Sequence, residues 1–156
     1  TDAEPNYDDR ANFMWAATNA LNTAIAMGVT QDWTTHTIGH ELTALYGLDH
    51  AVSLAIVMPG VMNLVREKRK EKLLQYGDQI WGISSSDEQG AIDEIIKNTE
   101  QLFRCLGVKT RFSEYGIGSE VIDKVVKQLS SHDTYYLGRA GDITIDDVPA
   151  ILQSRL

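Results

Sequence analysis

Three of the four histidines of the chain lie within fifteen residues, in the run from His36 to His50. His36 and His40 are four residues apart, so on a helix both imidazoles lie on one face. Gly47 is a natural residue to end that helix, and a chain reversal there would bring His50 back toward the same face. Imidazoles that converge in this way bind divalent metals. The spacing therefore makes this segment the candidate metal site.

The histidines also have a plainer explanation. A histidine on an apolar helix is often satisfied by backbone hydrogen bonds and binds no ligand. The residues alone leave both interpretations open for His36 and His50. The spacing does argue against the zinc metalloprotease motif, which has a glutamate directly after its first histidine, whereas Thr37 follows His36. The fourth histidine, His132, lies in a polar segment, which predicts a solvated side chain.

Composition limits the class of protein. At 156 residues, 43% of them hydrophobic, the chain is long enough for one domain with a sizeable core. Its net charge of −8 argues against a nucleic-acid partner, because proteins that bind nucleic acid carry a basic face. No membrane span and no signal peptide are expected. The single cysteine, Cys105, excludes an internal disulfide and, on an amphipathic segment, is predicted to be buried.

Apolar periodicity predicts a helical protein. Helical spacing recurs in about seven segments, which predicts a single all-α, metal-binding domain over residues 1–156. The first helix is expected to begin at Asp8 or Asp9 and to run to about Met27, with Gly28 as its terminator. No interdomain linker is predicted.

Two segments are harder to assign. Residues 51–65 would suit a buried strand or a helix. A cap at Asp49 and the lack of a partner strand favour a helix, which Pro59 should kink or divide. The charge run from Arg66 to Lys72 interleaves acidic with basic residues, so we expect the solvated start of a helix rather than an anion site.

The run from Asp32 to Ala51, which contains the three clustered histidines, resembles the second signature of the iron-containing (group III) alcohol dehydrogenases. The nearer likeness is to the branch of NADPH-dependent butanol dehydrogenases and aldehyde reductases. Shorter segments extend the resemblance along the chain: Tyr7–Asn12, Lys72–Tyr76, Tyr115-Gly116 and Asp142–Thr144. The whole chain is thus similar to the C-terminal helical domain of that family, which implies a dehydroquinate synthase-like fold.

The resemblance implies a role for each clustered histidine. The family carries its divalent metal, iron or zinc, on one aspartate and three histidines. His36 and His50 match the last two of these ligands. His40 matches a histidine that lies near the nicotinamide and the substrate and takes part in catalysis. The remaining two ligands, an aspartate and a histidine four residues apart, have no match in this chain, and neither has the glycine-rich nucleotide loop.

The resemblance also implies a two-domain cytoplasmic enzyme, commonly a homodimer, that uses NADPH to interconvert aldehydes and primary alcohols. On this interpretation the chain is the C-terminal part, holds half of the metal site and is inactive without its nucleotide-binding domain. The preference for NADPH rests on the branch resemblance alone, and histidine ligands accept iron and zinc alike. The alternative is a non-catalytic helical scaffold or interaction module.

Overall fold

Helices account for almost all of the regular structure, as the apolar periodicity predicts. The computed structural model describes residues 4–156, and within this range the chain forms seven α-helices. They are α1 Tyr7–Leu21, α2 Thr34–Tyr46, α3 His50–Leu64, α4 Lys70–Tyr76, α5 Glu88–Cys105, α6 Glu120–Ser131 and α7 Val148–Gln153. The all-α prediction is confirmed, although it missed one short antiparallel pair, β1 Tyr136–Leu137 with β2 Ile143–Thr144. Among residues 4–156, none of the helices combines the length and the apolar composition needed to cross a bilayer.

The described residues divide into two compact units, the first ending at Gln31 and the second covering residues 32–156. In the first unit, α1 is capped by Asn6 and not by the predicted aspartates. The Asn6 side-chain oxygen accepts the backbone N–H groups of Asp8 and Asp9 at 2.8 and 3.4 Å. Both aspartates lie instead in the first helical turn, where their negative charge is favourable to the helix dipole.

Helix α1 ends at Leu21, whereas the sequence analysis places its end near Met27. The side chain of Asn22 accepts the N–H of Ala24 at 3.0 Å, and Thr23 adopts a left-handed conformation with φ of 70°. Asparagine side chains offer the backbone a local alternative to helical hydrogen bonds. This turn therefore stops the helix even though the apolar periodicity continues beyond it.

The apolar side chains of α1 are exposed. No residue between Tyr7 and Leu21 is buried, and Phe13, Met14 and Trp15 are each more than half exposed. A helix that carries several large apolar side chains normally packs them against another segment. Exposed apolar patches of this kind mark surfaces to which another protein segment binds.

Helix α3 lies at the centre of residues 32–156, because its side chains enter two hydrophobic clusters. The larger cluster joins α3 to α2, α6 and α7, and its fully buried members include Ile38, Leu42, Ile56, Val57, Val121, Val125, Leu129, Val148, Ile151 and Leu152. The smaller cluster joins α3 to α4 and α5 through Met62, Leu73, Ile92 and Ile95. The prediction of a helix over residues 51–65 is confirmed, and Pro59 lies inside the helix without ending it.

The prediction that the charge run is simply solvated is wrong for two of its bases. Arg66 Nη2 contacts Asp93 at 2.8 Å, and Arg69 pairs with both Asp32 and Asp142. These carboxylates come from segments far away in the sequence, so the local alternation of charge gave no indication of the pairs. The two arginines thus connect the turn between α3 and α4 to distant parts of the unit.

The prediction that Cys105 is buried is also wrong, because its side chain is exposed. The buried residues of α5 extend only to Thr99, and Leu102 and Leu106 beyond it are exposed. The amphipathic pattern of α5 therefore continues past the point where the core ends.

A buried ion pair connects the segment after α7 to α3 and α5. Arg155 is 4% exposed, and its Nη2 donates to Glu100 Oε1 at 2.7 Å and to the carbonyl oxygen of Thr110 at 3.0 Å. Its Nε donates to the carbonyl oxygen of Ile56 at 2.9 Å. The Thr110 hydroxyl donates to Glu100 at 2.6 Å. These contacts compensate the cost of burying both charges.

This ion pair predicts a stability that falls in acid. Burial raises the pKa of Glu100, but hydrogen bonds from Arg155 and Thr110 outweigh it and hold the pKa below its usual value of 4.5. A carboxylate with a depressed folded-state pKa stabilises the fold above its unfolded-state pKa, and this stabilisation is lost as the pH falls through the folded-state pKa. We expect the free energy of unfolding, measured in urea, to fall between about pH 5 and pH 3. In Glu100→Gln, the free energy of unfolding should fall less over this pH range. An equal fall in the two proteins would contradict the assignment.

Candidate metal centre

The two candidate metal ligands lie at the starts of consecutive helices. Helix α2 begins at Thr34, whose backbone N–H donates to Asp32 Oδ1 at 2.8 Å, so that His36 lies in the first helical turn. The helix ends where the sequence predicts, at Gly47, whose φ of 66° is left-handed. After two further residues α3 begins at His50. The predicted reversal therefore returns the chain directly from one helix into the next.

Small side chains allow α2 and α3 to pack closely beside the histidines. A Cβ placed on Gly39 would lie 3.0 Å from both Leu54 Cδ2 and Ser53 Oγ, so a larger residue there would push against α3. Ser53 is buried, and its hydroxyl donates to the carbonyl oxygen of His50 at 2.8 Å. This bond fixes the first turn of α3, where His50 lies.

The three imidazoles form one cluster. The ring centroids of His36 and His50 are 5.3 Å apart, those of His40 and His50 are 5.2 Å apart, and those of His36 and His40 are 6.3 Å apart. The rings of His40 and His50 are stacked at 30°. Trp33 contacts His36 edge to face, with centroids 5.0 Å apart. The structure thus brings together the three histidines singled out from the sequence, and their roles as ligands and catalyst stay predictions.

The environment of His36 favours its neutral form. Its side chain is partly buried, whereas His40 and His50 are exposed. Burial lowers the pKa of His36 below its usual value of 6.5, and the neighbouring charges of His50 and His40 lower it further. A metal binds the neutral imidazole, so this shift makes His36 available as a ligand over a wider pH range.

The donor set suits a transition metal but is incomplete. Imidazole nitrogens are good ligands for iron and zinc, which take three or four protein ligands in most sites. Among residues 4–156, no group of three histidine, cysteine, aspartate or glutamate side chains is arranged to hold a metal ion. A metal ion at this cluster would therefore need further ligands beyond those that the described residues provide.

Sequence comparison places this arrangement in a family. All of residues 1–156 match the Fe-containing alcohol dehydrogenase family, C-terminal. The chain belongs to this family. The resemblance stated from the histidine run, including the restriction to the C-terminal domain, is confirmed.

Individual relatives agree with the family assignment. The chain is 49% identical over 141 residues to the NADPH-dependent aldehyde reductase YqhD of Escherichia coli, a match that covers 90% of this chain and 36% of YqhD. It is 33% identical over 150 residues to the NADH-dependent butanol dehydrogenase A of Clostridium acetobutylicum, covering 95% of this chain and 39% of that protein. The crystal structure of E. coli YqhD superposes with a TM-score of 0.94 at 46% identity, covering 97% of this chain and 39% of that structure. The chain thus spans less than two fifths of the length of these relatives.

One contact near the histidine cluster of this Fe-containing alcohol dehydrogenase domain was missed from the sequence. Glu41, next to His40 on α2, is only 8% exposed, and its Oε1 lies 3.1 Å from His132 Nδ1 at the end of α6. His132 is exposed, as predicted, and the contact with Glu41 is an addition that the sequence analysis did not foresee. The available signal was Glu41 itself, three residues after Ile38 on the apolar face of α2, because a carboxylate buried there needs a partner.

Proposed function

We propose that this chain is the metal-ligating domain of an NADPH-linked oxidoreductase that interconverts aldehydes and primary alcohols. The observation that carries the proposal is the cluster of His36, His40 and His50 in a member of the Fe-containing alcohol dehydrogenase family. Clustered imidazoles at two helix starts are suited to metal binding, and this family supplies the reaction class.

In this proposal, His36 and His50 hold a divalent iron or zinc ion together with ligands from outside the described residues. Their rings are near each other, and one of them is biased toward the neutral form that a metal requires. When bound, the metal supplies a Lewis acid that polarises the aldehyde oxygen. The task of the two histidines is to hold it in a fixed position, which their places in the first turns of two packed helices favour.

His40 is proposed as the catalytic residue that contacts the substrate and the nicotinamide. Its ring is exposed and stacked on His50, so it lies beside the ligand pair and remains accessible. An imidazole nitrogen can donate a hydrogen bond or pass a proton to the alkoxide that forms during reduction. Hydride transfer itself is the chemistry of the nicotinamide.

The nucleotide is proposed to be NADPH, bound by a domain outside residues 1–156. The more similar of the two relatives described above is named as NADPH-dependent and the less similar one as NADH-dependent. The exposed apolar side chains of α1, such as Phe13 and Trp15, support further protein contacts of this kind. A cytoplasmic location and a homodimer are proposed for the whole protein on the family resemblance.

The proposal is tested by aldehyde-dependent oxidation of NADPH by the full-length polypeptide that contains this chain. With butanal as substrate, we expect turnover that disappears after metal stripping with a chelator and returns when Fe²⁺ or Zn²⁺ is added. NADH at the same concentration tests the nucleotide preference separately. A folded protein that shows no turnover with either nucleotide and any added metal would contradict the proposal and favour a scaffold role.

A further inference from the structure

The first turn of α2 needs an anchor if His36 is to serve as a ligand. The N–H groups of a first helical turn have no partners within the helix, and helix ends open more readily than helix interiors. Here Asp32 Oδ1 accepts the N–H of Thr34 at 2.8 Å, which fixes the chain two residues before His36. The precision of the His36 ring position therefore depends on where the Asp32 side chain is held.

Arg69 holds the Asp32 side chain from the other side. The Nη1 group of Arg69 donates to Asp32 Oδ2. One carboxylate oxygen of Asp32 therefore accepts the N–H at the start of α2, and the other accepts the arginine. Both side chains are about four fifths buried, at 20% and 22% exposure. Burial raises the pKa of Asp32, but hydrogen bonds from Arg69 and Thr34 outweigh it and keep the carboxylate charged to lower pH than usual.

The Nη2 group of Arg69 contacts a different part of the chain. It donates to both carboxylate oxygens of Asp142 at 2.9 Å, in the loop just before β2. Lys68 Nζ donates to the carbonyl oxygen of Asp142 at 2.9 Å as well. Arg69 is thus fixed at two points, and an arginine whose planar group is held in this way positions its other partner better than a flexible lysine would.

We propose that Arg69 is a positioning residue for the metal centre, acting on His36 through Asp32. The inference rests on the proposed function, because it assumes that His36 is a ligand. His50 does not depend on the same contacts, since its own turn is fixed by the Ser53 hydroxyl. Loss of Arg69 is therefore expected to loosen one ligand of the pair and to leave the other in place.

The test measures Co²⁺ binding to the metal-free full-length protein by the visible absorption of the bound ion, which does not require turnover. Arg69→Gln and Asp32→Asn should each weaken Co²⁺ binding by roughly 10- to 100-fold, the usual effect of removing a residue that orients a ligand. Arg66→Gln is the matched control, because it removes an arginine of the same turn that pairs with Asp93 and does not contact Asp32, and it should change binding by less than about twofold. The double variant of Asp32 and Arg69 should bind no more weakly than the worse single variant, because both act on one contact.

Asp32→Ser separates the arginine from the helix start. A serine hydroxyl can also accept an N–H two residues further along the chain, so it keeps an acceptor for Thr34, but it loses the ion pair. Weakened Co²⁺ binding in Asp32→Ser supports the role of Arg69, and wild-type binding overturns it. Wild-type Co²⁺ affinity in a folded Arg69→Gln protein overturns it as well. If Arg69→Gln does not fold, Asp32→Ser decides the question. Absence of Co²⁺ binding by the wild-type protein would instead refute the proposed function.

Discussion

His36→Ala and His50→Ala are each expected to abolish metal binding and activity together in the full-length protein. A bound metal acting as a Lewis acid contributes several kcal/mol to lowering the barrier, so kcat/KM for butanal should fall by roughly 10³-fold or more. Neither substitution creates a large cavity, because His36 is only partly buried and His50 is exposed. The far-ultraviolet circular dichroism spectrum should therefore be unchanged. Metal content measured by mass spectrometry, together with kcat/KM, checks both expectations.

Two other histidines provide controls for this experiment. His40→Ala should retain the metal but slow turnover, because the proposed role of His40 is in the chemistry and not in ligation. His132→Gln removes the histidine outside the cluster and should leave metal content unchanged. A metal-replete and fully active His36→Ala or His50→Ala protein would refute the ligand assignment. Full turnover by His40→Ala would reduce His40 to a packing residue.

Arg155→Met is expected to cause a large loss of stability. The guanidinium is buried and contacts Glu100 and two backbone carbonyl oxygens, those of Ile56 and Thr110. Removing Arg155 leaves Glu100 with only the more exposed Arg111, at 3.3 Å, and Arg104, at 4.0 Å. The cost should therefore approach that of breaking a buried ion pair, about 3–5 kcal/mol. Urea denaturation monitored by circular dichroism should show this as a lower midpoint with a similar slope.

Arg104 supplies the matched control, because it lies at the surface and pairs closely with Glu114, at 2.8 Å, while its contact with Glu100 is a long one of 4.0 Å. Arg104→Gln should shift the denaturation midpoint far less than Arg155→Met does, since exposed ion pairs contribute little. The double variant Glu100→Gln with Arg155→Met should recover part of the lost stability, because the unpaired carboxylate is then removed as well. Equal effects of the two arginine substitutions would show that burial of the Arg155 pair is energetically unimportant.

The short-range predictions succeeded where neighbouring residues control the backbone. Gly47 ends α2 in a left-handed conformation, as the sequence indicates. The end of α1 was placed too late, because the apolar pattern continues through the segment where the Asn22 side chain forms its own turn. Periodicity describes which face of a segment is apolar, and it does not show where a competing side-chain hydrogen bond interrupts the helix.

The amino-acid sequence by itself determined the helical class of the protein, the end of α2 at Gly47 and the identity of the clustered histidines. These properties depend on spacing, on turn residues and on the family signature, all of which lie within short stretches of chain. Only the tertiary structure decided which charges are buried and with what partners: Arg69 with Asp32, Glu41 with His132, and Arg155 with Glu100. Each of these pairs joins residues at least 37 positions apart. The packing of whole helices brings such residues together, and a pattern within one helix carries no information about the charge that will face it.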